Sequence, residues 1–318
     1  MALRRLGGGG GRRAAAGSRS RCRRPPRQRR PRPVVLGRRG RRRQPSLHLH
    51  ARRAMRDWAD VAEGYRRSFA RACAGATGPL LAATNDQRGH SDDVVRHLDV
   101  GCGDGRLAAA ASETGRAVVA CDADATMCEL TRSSAPDVAT LKAALPELPF
   151  CSGSFDIVTA NFVINHVEAP CASMRELSRV CRRDGIVAAT IWPAGGAGFG
   201  PLLREVLSCP DLTPLPDQSL PADQDFERTR RGLGSLFAAA GLDDVRSTDI
   251  SWTWTVTPED LWAGITAGVA TPGMTYLAQS PEVRARMREL FFETARTMSA
   301  EGTLTFDARA VLATGRIS

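Results

Sequence analysis

The chain has 318 residues, 42% hydrophobic and 25% charged, enough for one large α/β domain or two small ones around a buried core. Its formal net charge of +10 is misleading: residues 1–54 hold 19 Arg and no Asp or Glu, and the remaining chain has 25 basic against 34 acidic residues, a formal −9. No run of eighteen apolar residues occurs, which argues against a membrane-spanning helix, and an acidic body argues against nucleic-acid binding outside the leader.

Residues 1–54 are rich in Arg, Pro and Gly without apolar periodicity and read as a disordered leader. Three readings stay open. It is a transit peptide, against which the glycine run at 7–11 speaks, because it would break an amphipathic helix. It is a polyanion-binding arm. Or it is translated upstream sequence, with Met55 as the true start opening onto MRDWADVAEGYRRSFARAC. Lys142 is the only lysine, and this Arg bias, typical of GC-rich coding, weakens any reading of each Arg as selected for function. The nine cysteines form no CxxC pair and no zinc-like Cys/His spacing, and a secretory apolar segment is missing. Free thiols and a cytoplasmic location are expected.

In chain order, 57–83 is patterned as a helix with Trp58, Val61, Tyr65, Phe69 and Cys73 on one face, interrupted at Gly78-Pro79. A polar loop spans 84–93. Strand candidates follow at 94–100, 117–121, 138–141, 155–162 and 186–192, with helices at 107–114, from the N-cap Asp124 onward, and at 172–182, where Met174, Leu177, Val180 and Cys181 face inward. Asp184-Gly185 is read as a turn. Strands one, four and five are nearly all apolar, the signature of a parallel sheet covered on both faces. Residues 193–225 read as a long loop. A helix at 228–240 ends at Gly241, an alternating strand runs 245–256, two helices cover 258–268 and 281–299, and a last strand covers 303–317.

The first strand ends in HLDVGCGDGRL (97–107). Strand, glycines, then helix places a ligand at the carboxyl edge of the sheet against a helix N-terminus. A triphosphate loop needs GxxxxGK followed by Ser or Thr, and no Lys is present. A dinucleotide loop needs a third glycine for close helix–strand packing where Arg106 stands. The order is instead Asp99, Gly101, Gly103, Gly105 at every second position.

Leu98 to Gly105 resembles motif I of the class I S-adenosylmethionine-dependent methyltransferases, of the small-molecule type seen in ubiquinone and menaquinone biosynthesis. VVACDADATMCELTR (118–132), LPFCSGSFDIVTANFVINHV (148–167) and ASMRELSRVCRRDGIVAATIW (172–192) resemble later segments of that family in the same order. The resemblance implies an α/β fold. Its mostly parallel seven-stranded, Rossmann-like sheet carries helices on both faces, a helical N-terminal lid and a helical insertion before the last strand. It implies a domain over 55–318, with substrate-capping insertions at 193–226 and 257–300. It implies S-adenosyl-L-methionine as cofactor, no metal, and cofactor-binding positions at Asp99, Gly101, Cys102, Gly103 and Gly105, with Asp122 on the ribose diol. Ala123 and Met127 would flank the adenine, and Asn161 and Tyr65 complete the set. Family members often carry Asp at the adenine amino group, where this chain has Ala144 and Leu145.

Glycine amides in that loop suit the methionine carboxylate, and the activated methyl donor needs positioning and desolvation rather than a metal. His166, after Asn165 at the end of the fourth strand, is the candidate general base. Tyr65 and Trp58 either line the cofactor entrance or anchor the first helix. Trp252, Trp254 and Trp262 read as core, part of which is a possible substrate wall. Asp104 reads as solvated. Asn161-Phe162-Val163-Ile164 departs from the Pro-Pro motif of adenine and glutamine methylases, and Pro170-Cys171 reads as a helix start rather than a nucleophile pair. The expected reaction is methyl transfer to an O, N or C nucleophile of a small-molecule acceptor. The alternatives are an RNA-binding or RNA-modifying protein using the leader, and an NAD-dependent oxidoreductase.

Overall fold

The computed structural model describes residues 62–85, 94–217 and 219–318. The leader, Met55, Trp58, Val61 and most of the 84–93 loop lie outside them.

β1 (Arg96–Val100), β2 (Ala117–Asp122), β3 (Ala139–Lys142), β4 (Phe155–Asn161) and β5 (Cys181–Ile191) run parallel. They join β6 (Leu242–Val256) and β7 (Leu304–Ile317) in a seven-stranded sheet of order β3-β2-β1-β4-β5-β7-β6, with β7 antiparallel to both neighbours. β1 and β4 are buried on both faces, but not as the apolar runs expected: Leu98, Val100, Ile157 and Val158 are interspersed with the buried polar His97, Asp99 and Thr159. On one face α6 (Pro170–Val180) and α8 (Arg230–Ala239) pack Met174, Leu177, Leu233 and Phe237 over Leu98, Val158 and Val187. On the other, α4 (Arg106–Glu113) sets Ala108 and Ala111 against Val118 and Ala120. Asp124 caps α5 (Ala125–Ser134) as the sequence predicts, its Oδ1 accepting from Thr126 N at 2.7 Å and Met127 N at 3.2 Å.

Several boundaries depart from the sequence reading. The helix expected over 57–83 with an interruption at Gly78-Pro79 is three, α1 (Ala62–Arg67), α2 (Phe69–Ala74) and α3 (Thr77–Ala83), and Gly78-Pro79 fall inside the first turn of α3 rather than at a break. Ser68, at φ −116 and ψ −92, leaves helical geometry and its hydroxyl donates to Gly64 O at 2.6 Å. The second break falls at Gly75, against which the Trp252 ring is pressed so closely that no side chain fits. α6 starts at Pro170 and stops at Val180, so Cys181 begins β5 in extended geometry rather than ending the helix; Asp184 at φ 60 marks an irregular stretch before the regular pairing. The 193–225 loop contains α7 (Gly200–Val206), too short and too rich in Gly and Pro to declare a period, yet burying Leu202 and Val206. β6 starts three residues before the expected 245, across a register shift. The insertion holds α9 (Pro258–Thr266), α10 (Ala270–Leu277) and α11 (Pro281–Met298); α10 was hidden by Pro272 and Gly273 in its first turn.

The antiparallel β6–β7 pair, joined through the helical insertion, extends beyond the edge of β5. Val311–Arg316 pair with β5, whereas Leu304–Ala310 pair with β6 and leave the sheet. That projecting half carries a second core, in which Trp254 and Phe306 meet Leu202 of α7, Leu261 and Ile265 of α9, and Phe291 of α11. α1 joins this cap by close backbone approach: a Cβ on Gly64 would lie 2.5 Å from Ala267 Cβ, and one on Gly264 would lie 2.1 Å from Ser68 Oγ. Arg67 and Arg71 both reach Asp260, at 2.6 and 3.4 Å. Lid and insertion are thus one packed body at the carboxyl edge of the sheet. Among the described residues no helix is long and apolar enough to cross a membrane.

Candidate functional site

A cleft opens where β1 and β4 end and the α1–α3 segment covers them, lined among others by Tyr65, Cys73, Thr77, Asp99, Gly103 and Asn161. Strand geometry explains the grouping. Residues two apart share a face, so His97 and Asp99 of β1 lie with Thr159 and Asn161 of β4 on the side away from Leu98 and Val158.

The glycine loop works differently from the sequence expectation. Gly101 N and Cys102 N donate to Cys121 O at 2.8 and 3.0 Å, Gly103 N to Asp122 Oδ2 at 3.0 Å, and Gly105 N to Cys102 O at 2.9 Å. These amides are spent inside the protein, so the expected cradle of free N–H groups for a carboxylate is corrected: the loop provides close approach rather than donors. At Gly103, φ 54, the missing Cβ leaves open space up to the Tyr65 ring, 3.5 Å away. Gly105, φ 84, does not line the cleft; it lets the start of α4 touch α5, where a Cβ would lie 2.9 Å from Thr131 Cα. Cys102 lines the cleft but its thiol is buried against α4 and accepts from Thr131 Oγ1 at 3.1 Å. Burial pushes that thiol well up.

Asp99 is 1% exposed. Its Oδ1 accepts from Thr159 Oγ1 at 3.1 Å, and its Oδ2 has no partner among the described residues. Burial raises its carboxyl to about 7, with the Asp122 charge adding to the rise and Thr159 opposing it. Asp122, at the end of β2, accepts from Gly103 N and Asp124 N, both at 3.0 Å, and burial raises it too. Two donors leave its carboxylate with spare lone pairs. Tyr65 and Cys73 hydrogen-bond to each other, and burial raises both groups, Cys73 to about 12. Asn161 ties the sheet to the lid, accepting from Thr190 Oγ1 at 2.6 Å and donating to Cys73 O at 3.4 Å.

Other expected residues fall elsewhere. Ala123 is half-buried and Met127 buried. Ala144 is exposed in a tight bridge with Glu147, and Leu145 packs toward the main core. These four, like Asp122 itself, stay outside the cleft lining; Ala143 N donates to Asp122 O at 2.9 Å, and Asp122 reaches the cleft through Gly103. His166 is exposed, its amide donates to Val163 O at 2.9 Å, and it is not among the residues that line the cleft. Trp254 and Trp262 are cap core as expected. Trp252 stands beside Trp192, ring centroids 5.7 Å apart, and Trp192 stacks on Phe162 at 4.0 Å.

The sequence reading missed Thr159, Thr77, Asp104 and Arg106. Asp104 is not solvated: its side chain is 11% exposed and accepts from Arg106 Nε at 2.7 Å. Arg106 is the one cationic side chain among the described residues of the cleft lining. Its place as first residue of α4 was the available signal, used only to reject a dinucleotide.

Comparison with known proteins follows the same residues. Residues 98–189 match the family described as methyltransferase domain. A demethylmenaquinone methyltransferase of Beutenbergia cavernae is 31% identical over 168 residues, 46% of this chain and 70% of that protein. A probable S-adenosylmethionine-dependent methyltransferase of Mycobacterium tuberculosis is 32% identical over 124 residues, 37% of this chain and 45% of that protein. The solved structure of the YcgJ protein from Bacillus subtilis superposes with a TM-score of 0.47 at 19% identity, covering 76% of this chain and 98% of that one.

Proposed function

This chain belongs to the class I S-adenosylmethionine-dependent methyltransferases, and on that premise we propose that it holds S-adenosylmethionine in the β1–β4 cleft and methylates a small-molecule acceptor. The observation that carries the reading is the unpartnered, buried Oδ2 of Asp99 at the cleft. A bare carboxylate oxygen in a dry site calls for a cation or a strong donor, and the ammonium of a methionine end is both. Asp122, with lone pairs to spare, suits a vicinal diol, and the Arg106 guanidinium suits the methionine carboxylate that the spent loop amides cannot take. Tyr65 over the open Cβ position of Gly103 closes the site from above.

When bound, the cofactor supplies a methyl group already activated on a sulfonium. The protein's part is then orientation and exclusion of water. Asp99 and Arg106 fix one end, Asp122 the other, and the packed lid of α1–α3 shields the reacting region. The acceptor enters from the cap side, formed by 193–226 and 257–300. The name of the Beutenbergia relative supports a small-molecule acceptor.

An NAD-dependent reading fits the same residues poorly. A pyrophosphate would meet the Asp99 carboxylate and find the amides of Gly101, Cys102, Gly103 and Gly105 already engaged. Isothermal titration calorimetry with S-adenosylhomocysteine and with NAD decides between them. Binding of the former and silence of the latter is expected; tight NAD binding without response to S-adenosylhomocysteine sinks the methyltransferase reading. Deleting residues 1–54 tests the RNA alternative, since ligand binding and methylation should survive it.

A further inference from the structure

Behind Asp99 runs a row of buried polar groups that the shape of the cleft does not require. Asp99 pairs with Thr159 across β1 and β4, and His97 lies two residues before Asp99 on the same face. His97 and Thr159 are both 0% exposed. His97 Nε2 is 2.8 Å from Thr159 Oγ1, and Thr159 Oγ1 is 3.1 Å from Asp99 Oδ1. On the far side Arg116 Nη1 stands 3.5 Å from His97 Nδ1, and Arg116 is itself held by Thr84 Oγ1 at 3.0 Å and Asn85 Oδ1 at 2.6 Å.

The chemistry of the donors gives the row a direction. A guanidinium presents only hydrogens, so the hydrogen of a neutral His97 cannot sit on the nitrogen that faces it. It sits on Nε2 and is donated to Thr159 Oγ1. The single hydroxyl hydrogen of Thr159 must then go onward. Of its two acceptors, Asp99 Oδ1 is nearer and charged, while Leu98 O lies at 3.4 Å. Burial and the Arg116 charge keep His97 neutral, pushing its ring down to about 3.

We propose that His97 and Thr159 are positioning residues for Asp99: a one-way donor chain starting at Arg116 ends on Oδ1 and leaves Oδ2 turned to the cationic end of the ligand. The proposal rests on the reading of the cleft as an S-adenosylmethionine site. The other titratable groups facing Asp99 are Asp122 and Cys121 of β2 and Cys102 of the glycine loop, and none lends it a positive charge. Thr159 thus gives Asp99 its one hydrogen bond among the described residues. Without that bond the carboxylate takes up a proton more readily and loses its fixed orientation, and both effects weaken a cation at Oδ2.

The test is calorimetry of S-adenosylhomocysteine binding between about pH 5.5 and pH 8.5, for the full chain and for Thr159→Val, Thr159→Ser and His97→Leu. Wild-type affinity should fall as the pH drops through the Asp99 midpoint near 7. Thr159→Val, which fills the same volume without the hydroxyl, should lose about tenfold at neutral pH and move the midpoint upward, and Thr159→Ser should restore both. His97→Leu should move the midpoint in the same direction with the Thr159 hydroxyl still present, and it carries the test if the valine variant does not fold. Valine binding as tightly as wild type with the same midpoint, or serine failing to rescue, overturns the proposal. So does a wild-type affinity independent of pH. Absence of S-adenosylhomocysteine binding at every pH overturns the underlying reading of the cleft as well.

Discussion

Asp99→Asn should make the ligand-free protein more stable at pH 8 while removing its grip on the ligand. The sign follows from linkage. The folded carboxyl is raised from 3.8 to about 7, so the folded state holds its proton more tightly than the unfolded state. Stability is therefore unaffected below the unfolded value, declines as pH rises between roughly 4 and 7, and is lower by the full amount above that. A shift of about three units corresponds to about 4 kcal/mol. Asparagine keeps an oxygen for Thr159 but puts a buried N–H where Oδ2 had no partner, at a cost of about 1–3 kcal/mol. The variant should then be more stable than wild type by about 1–3 kcal/mol at pH 8, an advantage that shrinks by about 2–3 kcal/mol at pH 5. Urea unfolding of both proteins at the two pH values measures this. His97 titrates in the opposite sense in both proteins and cancels in the difference. A variant no more stable than wild type at pH 8, with a difference that ignores pH, would refute the reasoning. Affinity for S-adenosylhomocysteine should fall by about 1.5–3 kcal/mol, the value of a hydrogen bond to a charged group.

Asp122→Ala should weaken S-adenosylhomocysteine binding by about 1–3 kcal/mol in calorimetry, since it strips an acceptor from the diol and frees Gly103 N and Asp124 N; an unchanged affinity would place the ribose elsewhere. Gly264→Val should push α1 off α9, given the 2.1 Å approach to Ser68 Oγ, and speed hydrogen exchange in 62–74 while β1 and β4 stay protected; equal protection in both proteins refutes the single-body cap. His97→Gln should flatten the stability profile between about pH 6.5 and pH 3, where the wild type loses stability because unfolded His97 takes up a proton that the folded ring, lowered to about 3, refuses. Parallel profiles from urea titrations would show that His97 is not neutral in the fold.

What could be read in advance follows from how far each signal reaches along the chain. Most of β4 and the regular part of β5 are apolar stretches dictated by burial on two faces, and α6 shows its period in Met174, Leu177 and Val180. Each declares itself within a few residues. α7 and α10 do not, because a seven- or eight-residue helix containing Gly or Pro spans only about two turns and is stabilised by the cap it joins. The close approach of Trp252 to Gly75 joins residues far apart along the chain, and no local pattern contains it. The site divides in the same way. Asp99 lines the cleft, as its place near the end of β1 leads one to expect, whereas Asp122 at the end of β2 stays outside the lining. Thr159 became part of the site through register, and the loop amides lost their expected role to Cys121 O and Asp122, partners that only the fold supplies.

The burial of Asp99 also bears on which ligand the cleft is built for. A fold that needed only to close the end of β1 would be served by Asn or Thr, which accept from Thr159 without a charge. Asp99 instead holds an ionisable group with one donor, near a second carboxylate that raises it further. Such an arrangement costs the free protein stability, and strained or unsatisfied groups of this kind concentrate where a ligand relieves them. Relief here has a required sign. A neutral donor would satisfy Oδ2 but leave the charge; an anion would worsen it; a cation does both. The positively charged end of an amino acid meets that requirement, and the guanidinium of Arg106 at the same cleft offers its carboxylate the opposite charge. Because Arg106 is shared with Asp104, the bare Oδ2 of Asp99 is what calls for a cationic group, a property that the glycine spacing alone does not specify.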